Sequence, residues 1–367
     1  MKLGVYAQPL VGKMTGIGNW TARLLQQLPQ HIPDLEIYAY APSLEVANLP
    51  EPIDKCSIRS QPVLPFMPGL FWLKLGAAHL IQHDTLDVFW ATRTLYPLGI
   101  KDNTPVVSTI YDLNSVFYPH TMPFATLLAH KLWFASDLRQ ADRIVAISQG
   151  TSDRLKNWLG RGADAIVPPG VAESYVPQPQ AIIDETVSRY GLKLPYLLFV
   201  GTLEPRKNLE ALLDALIDVN ASRQTPITLA IIGQRGWSNK KLFQRLDRGL
   251  SNVKELGFVP NGDLPALYSG ATALMMPSLY EGYGMPAAEA AACGTWVVAT
   301  DIPELREAAG DSGIYTDPSV DGIVSGIQRV LAMPSAPARS SPVSWKDSAA
   351  LLAQTLQEAA RCRQRRV

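Results

Sequence analysis

The stretch PSLYEGYGMPAAEAAACGTWVVATD, residues 277–301, sets two glutamates, Glu281 and Glu289, on either side of seven residues. Gly282 and Gly284 free the backbone between them, and Pro286 suits the first turn of a helix. If that helix starts near Met285, its first N–H groups point at the space beside Glu281, and Glu289 lies one turn in, on the face of Met285. A carboxylate there can accept two neighbouring hydroxyls, as a ribose presents them. Acidic residues near a helix start also suit the helix dipole, so each glutamate alone says little. The glycines need a further reason, and close approach of a ligand supplies one.

A second stretch, LLFVGTLEPRKNLEALLDAL at 197–216, reads as a buried strand, a loop and a helix. Arg206 and Lys207 fall at the carboxyl side of the strand, just before the helix. Two cations beside a positive helix end suit an anion, phosphate above all. The bland alternative is a solvated loop in which they pair with Glu204 or Glu210, and Asn208 serves equally well as a helix cap. A third stretch, GKMTGIGNW at 12–20, follows the first strand and opens a helix, with Gly16 and Gly18 allowing close backbone approach. It departs from G-x-G-x-x-G at Thr21. Glu36, which would have to end a strand to hold a dinucleotide ribose, begins one instead. Trp20 directly follows the loop and either contacts a ligand or packs the helix. No GxxxxGK[ST] occurs.

These residues must be held by elements, and short apolar runs alternating with amphipathic stretches predict parallel α/β architecture. Strands are expected near 2–6, 35–40, 87–91, 105–110, 143–147 and 165–167, then 196–200, 227–232, 254–257, 272–276 and 296–299. Helices are expected near 18–28, 70–83, 123–140, 149–158, 208–219, 238–249, 263–269, 285–293 and 319–332. The proline-rich VPPGVAESYVPQPQ, 167–180, separates two halves. The expected division is a Rossmann-like domain over 1–170, a linker over 171–190, a second Rossmann-like domain over 191–340, and a closing helix with a basic tail over 341–367. That helix is free to pack back on the first domain. Two open parallel sheets suggest a cleft, with ligands at the carboxyl ends of the strands.

Composition narrows the classes. The 367 residues carry 33 Lys+Arg against 33 Asp+Glu, which argues against a nucleic-acid partner. All 5 histidines lie at or before His130, so any histidine chemistry belongs to the first half. His79 and His83 are four apart, yet no HExxH accompanies them and no metal is expected. The dispersed Cys56, Cys293 and Cys362 read as reduced thiols of a cytoplasmic protein, and MKLGVYAQPL lacks a signal peptide's apolar core. Leu64–Ile81 is the nearest candidate to graze a membrane, although a helix packed on a sheet is the favoured reading. Phe66, Phe71 and Trp72 within it could touch a lipid-linked acceptor, with burial the default. The last seven residues carry Arg361, Arg363, Arg365 and Arg366, a cationic tail able to rest on anionic lipid or simply to be solvated.

Taken together, these stretches resemble the family 4 retaining glycosyltransferases, a group that includes bacterial mannosyltransferases and has the two-domain GT-B fold. GTLEPRKNLEALLDAL resembles the family's donor-phosphate loop, the block from GFVPNGDLPALY to IPELREAAG its nucleotide-sugar region, and the helix beginning SWKDSAALL its closing helix. The resemblance implies that Arg206 and Lys207 neutralise the leaving diphosphate and that Glu289 holds the ribose hydroxyls. Glu281 would face the donor sugar, beside the amides of Tyr283, Gly284 and Met285. Val259 and Pro260 would border the base, and Gly233 would lie near the nucleotide. In the first domain, Gly16 and Ile17 would approach the phosphates and the acceptor, and Ser148 matches a serine of many members.

Asp112 matches the acid of a His-Asp pair, but Tyr111 replaces the histidine, so the sugar contact there would come from a phenol. No cofactor is implied, because the nucleotide sugar is itself the substrate. The implied partners are that donor, a saccharide or lipid-linked acceptor and a peripheral membrane surface. Two rivals stand beside the transferase: a nucleotide-sugar epimerase, disfavoured by the absence of histidine after 130, and a degenerate nucleotide-sugar-binding protein, supported only by Tyr111.

Overall fold

The computed structural model describes residues 1–12, 16–42, 56–60, 69–81, 83–119, 124–236, 239–333, 336–338 and 341–364, without the side chains of Asp102, Arg363 and Gln364. Residues 13–15 of the glycine loop, Phe66 and the last three residues of the tail therefore lie outside the described residues. Two compact units result. One comprises Met1–Gly170 with Val343–Val367, the other Val171–Pro342.

The first unit is built on β1 (Lys2–Tyr6), β2 (Glu36–Tyr40), β3 (Cys56–Arg59), β4 (Val88–Ala91), β5 (Val106–Ile110), β6 (Arg143–Ala146) and β7 (Ala165–Ile166). All pair in parallel, in the order β3-β2-β1-β4-β5-β6-β7. The strands VFWA and VVSTI are buried throughout, as continuous apolar runs covered on both faces must be. Strand order reverses between β1 and β4, so a crevice opens at their carboxyl ends. The helix Trp345–Gln364 packs on this unit, against the helix Gly16–Gln27 and strands β4–β7. Its Ala349, Leu352, Ala353, Leu356 and Ala359 are buried, and Ser348 Oγ donates to the Pro168 carbonyl at 2.6 Å.

The second unit carries β8 (Tyr196–Val200), β9 (Thr228–Ile232), β10 (Val253–Gly257), β11 (Ala273–Met276), β12 (Trp296–Thr300) and β13 (Gly313–Thr316). They too are parallel, in the order β10-β9-β8-β11-β12-β13, with the reversal between β8 and β11.

Two local expectations need correction. The linker expected over 171–190 ends sooner, because Gln180–Arg189 is a helix whose Ile183, Thr186 and Val187 are buried. It packs on the helix Leu264–Gly270 so tightly that a Cβ on Gly270 would fall 2.7 Å from Ile183 Cγ2. The helix expected over 70–83 is interrupted by a π turn, Trp72–Gly76. That turn carries the buried Lys74, whose Nζ bonds Asp137 Oδ2 at 2.7 Å and the Tyr96 carbonyl at 2.8 Å. Trp72 is core, as the default reading expects. The strands β3 and β13 and the helix Pro303–Ala309 escaped sequence reading, being short and weakly patterned. No helix among the described residues is long and apolar enough to cross a membrane, and they hold no group of three metal-ligating side chains.

Candidate active site

Arg206, Lys207 and Glu281, three of the residues singled out in the second half, meet where its sheet reverses. Glu289, Gly233, Val259 and Pro260 follow the carboxyl ends of strands in the same sheet, outside that trio. After β8 the chain turns through Gly201 (φ +151°), bridges Leu203 to Arg235, and forms a short 3₁₀ turn, Pro205–Lys207. Asn208 follows in the left-handed conformation at φ 56°. Its amide donates to the Pro318 carbonyl at 2.8 Å instead of capping the helix Leu209–Ala221. This turn presents Arg206 and Lys207 to the loop that leaves β11, and Leu279 N donates to the Arg206 carbonyl at 2.9 Å to lock the loops together.

Glu281 closes the arrangement. Its Oε1 accepts from Lys207 Nζ at 2.5 Å and its Oε2 from Arg206 Nη1 at 2.9 Å. Arg206 Nη1 also reaches the Tyr280 carbonyl at 2.6 Å, and Nη2 binds Glu204 Oε1 at 2.6 Å. Burial alone would raise the Glu281 carboxyl, but Lys207 and Arg206 overcome it and hold the group at about 2. The cluster is therefore two cations neutralised by two carboxylates. The local pairing foreseen for Glu204 is present, and the pairing of both cations with Glu281 was not foreseen, because 74 residues separate the two motifs.

Glu289 lies one turn into the helix Met285–Ala292, as expected, and its Oε2 accepts from the Tyr268 hydroxyl at 2.9 Å. Burial raises its carboxyl to about 7, against a smaller downward pull from Tyr268. Tyr268 was missed, since nothing in its sequence neighbourhood marks it as the partner. Met285 begins this helix, as the sequence suggested, with Pro286 in its first turn and no side-chain cap among the described residues. The Ala287 and Ala288 amides donate to the Gly284 carbonyl at 2.9 and 3.3 Å. Tyr283 is buried, and burial with Glu307 pushes its hydroxyl up to about 12. Gly284 needs no ligand to explain it. It sits at φ 105°, and a Cβ there would come within 2.6 Å of Leu305 Cδ2.

A second close approach joins the ends of β8 and β9. Gly233 has φ +142°, and a Cβ on it would lie 2.0 Å from the Gly201 carbonyl oxygen. Val259 is buried two residues beyond β10, while Pro260 is exposed, as is Phe258 beside them at 70% of its surface. Phe258 is an aromatic face that sequence reading passed over.

The remaining candidates belong to the first unit. The Trp20 ring stands edge-on to Tyr111 at 5.3 Å and to Trp90 at 5.8 Å, and its buried Nε1 has no partner among the described residues. Burial raises the Tyr111 hydroxyl, so it acts as a neutral phenol. Asp112 Oδ1 accepts from Asn114 N at 2.9 Å at the end of β5. Ser148 is fully buried and caps the helix Gln149–Leu159 through Thr151 N at 3.0 Å, a structural duty sufficient to explain it. Gly16 opens its helix with free space around its missing Cβ, and Ile17 beside it is partly exposed.

A doubly wound parallel sheet in each unit is the architecture of the GT-B glycosyltransferases. Residues 14–175 match Glycosyltransferase Family 4, and residues 184–347 match the glycosyl transferases group 1. The chain belongs to glycosyltransferase family 4 and is a hexosyltransferase. It is 29% identical over 354 residues to the O-antigen chain mannosyltransferase B of Escherichia coli, covering 90% of this chain and 91% of that protein. Among solved structures, the sucrose-phosphate synthase of Thermosynechococcus elongatus superposes with a TM-score of 0.70 at 16% identity, over 100% of this chain and 98% of the other. The HepE protein of Anabaena in complex with UDP-glucose superposes at 0.67 and 19% identity, over 99% of each.

Proposed function

We propose that the chain transfers a hexose, with retention, from a nucleotide diphosphate sugar (GDP-mannose or a UDP-sugar) to a saccharide or lipid-linked acceptor in surface polysaccharide synthesis. The mannosyltransferase named above, alike over most of both chains, supports mannose as the sugar. The observation that carries the reading is the Arg206–Lys207–Glu281 cluster at the β8/β11 reversal. As the donor's anomeric bond breaks, charge builds on the departing nucleoside diphosphate, and two preorganised cations stabilise it where it forms. In this reading they supply the charge that a metal would otherwise bring, and no cofactor takes part. Glu289 accepts the ribose hydroxyls, and Tyr283, Gly284 and Met285 border the donor through their amides. The residues around Val259 and Pro260 face the base, and Gly233 lies beside the nucleotide.

Both oxygens of Glu281 are occupied by cations, which disfavours it as a nucleophile. Attack on the same face as departure, with a donor phosphate oxygen taking the acceptor proton, fits this geometry better. In the first unit, Gly16 and Ile17 are assigned to the donor phosphates and the acceptor, and Trp20, Tyr111 and Asp112 to the acceptor and the sugar, while Ser148 keeps its capping duty. Release of nucleoside diphosphate from GDP-mannose and UDP-glucose, with and without saccharide acceptors, tests the proposal. Acceptor-dependent release supports it, and absence of release from every donor refutes it.

The site of action proposed is the cytoplasmic face of a membrane. On the helix Phe124–Gln140, Phe124, Leu128 and Leu132 recur every four residues and are exposed, with the exposed Lys131 and Arg139 on the same helix. An apolar stripe flanked by cations suits an anionic lipid surface. Co-sedimentation with phosphatidylglycerol vesicles should fall in Phe124→Ser; equal sedimentation of variant and parent would remove the membrane contact.

A further inference from the structure

The sheet of the first unit reverses between β1 and β4, and Arg93 sits two residues past the end of β4, in the crevice that such reversals create. Arg93 is half-buried, yet its guanidinium makes no ion pair or hydrogen bond with any described residue. Its backbone is held firmly. Thr92 Oγ1 donates to the Tyr6 carbonyl at 2.5 Å, and Thr94 adopts φ 70°, unusual for a β-branched residue. Thr94 is fixed there by Oγ1 donating to the Thr109 carbonyl at 2.7 Å and by its own carbonyl accepting from Ser108 Oγ at 2.7 Å. A strained loop that points an unpaired cation into a crevice is an arrangement a fold keeps for a ligand.

The surroundings supply hydrogen-bond groups without partners. Tyr6, the last residue of β1, is fully buried, and its hydroxyl is unbonded among the described residues. That hydroxyl would stand 3.3 Å from a Cβ on Gly69, so it lies at the wall that Gly69 forms. Gly69, Gln8, Leu70, Arg93, Ala125 and Thr126 line a cavity of about 140 Å³, room for a phosphate-sized group. His130 Nδ1 is likewise buried and unbonded, and its ring stacks on Phe134 at 4.7 Å. Burial, and then the Arg93 charge, push the His130 imidazole down to about 4, so it stays neutral near pH 7 and leaves the positive charge of the pocket to Arg93. A guanidinium fork, a phenol and a side-chain amide offer donors in excess of acceptors, and an unpaired full charge calls for an anion in preference to a sugar hydroxyl.

We propose that Arg93, Tyr6 and Gln8 form an oxyanion site in the first unit that binds a phosphate group carried by the acceptor. Assigning that phosphate to the acceptor rests on the transferase reading above; the anion site itself does not. The phosphate can belong to a soluble sugar phosphate or to a lipid-linked phosphate, and the ligands below separate the two.

The test is calorimetric titration of the full chain with inorganic phosphate, glucose 1-phosphate and a short prenyl phosphate in detergent. It is run in a background where Glu204→Gln, Arg206→Gln, Lys207→Gln and Glu281→Gln together neutralise the cluster of the second unit. Phosphate binding should persist in that background and weaken by about tenfold or more in Arg93→Gln, as loss of a charge-assisted bond requires. Tyr6→Phe is the control for folding. It removes a buried hydroxyl with no partner, so the unliganded protein should melt no lower than its parent, while phosphate affinity falls several-fold. Whichever of glucose 1-phosphate and the prenyl phosphate loses affinity with Arg93→Gln identifies the source. Unchanged phosphate affinity in both Arg93→Gln and Tyr6→Phe, or no phosphate binding in the neutralised background, would overturn the proposal. Arg93-dependent phosphate binding in that background, with no sugar transfer by the parent chain, would leave the site standing and remove the transferase reading instead.

Discussion

Lys207 Nζ lies 2.5 Å from Glu281 Oε1, and the other oxygen of the same carboxylate is taken by Arg206 at 2.9 Å. The phosphate-binding cations are thus neutralised within the chain, and a diphosphate must compete with Glu281 for them. Taking away one member of a buried ion pair strands the other, at a cost of about 3–5 kcal/mol. Glu281→Gln should therefore lower the melting temperature while tightening the binding of a nucleoside diphosphate, because Lys207 is then without its carboxylate while Arg206 keeps that of Glu204. Thermal melts with and without GDP would show both effects; a variant that binds GDP more weakly would contradict the competition.

The cations themselves should act mainly on turnover. If each stabilises charge that develops only as the bond breaks, Arg206→Ala or Lys207→Ala should reduce kcat by roughly tens- to thousands-fold. Steady-state assays of nucleoside diphosphate release measure this directly. Normal kcat in both variants would mean that the cluster is merely structural.

Glu289 links the site to pH. Its carboxyl is raised to about 7 from an ordinary value of 4.5, so in the folded chain it keeps its proton over a window in which the unfolded chain has lost it. The contribution is fully favourable below pH 4.5 and is lost as pH rises through 4.5 to 7. Glu289→Gln should flatten that part of the stability curve, read from urea unfolding at several pH values. Ribose hydroxyls prefer an ionised acceptor, so nucleotide binding near pH 6 should release a proton. Calorimetric enthalpies that do not vary with buffer ionisation would argue against Glu289 as the ribose contact, as would unaltered donor affinity in Glu289→Ala.

Two glycines should part company under the same substitution. At Gly233 a Cβ meets the Gly201 carbonyl at 2.0 Å, and the backbone is in a region that side chains avoid, so Gly233→Ala should destabilise the fold severely, by roughly 1–3 kcal/mol for the strained backbone alone. At Gly16 nothing lies within 4 Å of the added carbon. Gly16→Ala should melt like its parent and lose kcat/KM if a ligand approaches there. Unimpaired kcat/KM would reduce Gly16 to a simple helix start.

How far the sequence shows all this depends on the range of the interaction. The Arg206–Lys207 turn and the helix after Gly284 are local, written in runs of apolar, glycine and proline residues, and both are legible. The meeting of Lys207 with Glu281, and of Tyr268 with Glu289, depends on which strands lie side by side, and an apolar run carries no information about its neighbour. Lys74 shows the same limit: it sits in an apolar stretch as though misplaced, and only the fold brings Asp137 to it. Strand β13 was missed because GIYT is too short to show a period. The helix Gln180–Arg189 was missed because the prolines before it dominate the reading.

The chain leaves the first unit at Gly170 and re-enters it at Val343. At this crossing Gly170 packs on the backbone of Trp345 so closely that a Cβ would come within 2.4 Å of its nitrogen. The second unit is therefore a guest inserted in a host whose two cut ends already touch. A few glycines from 170 to 343 would heal the host, and it would keep its sheet, its closing helix and the Arg93 pocket in a single short polypeptide.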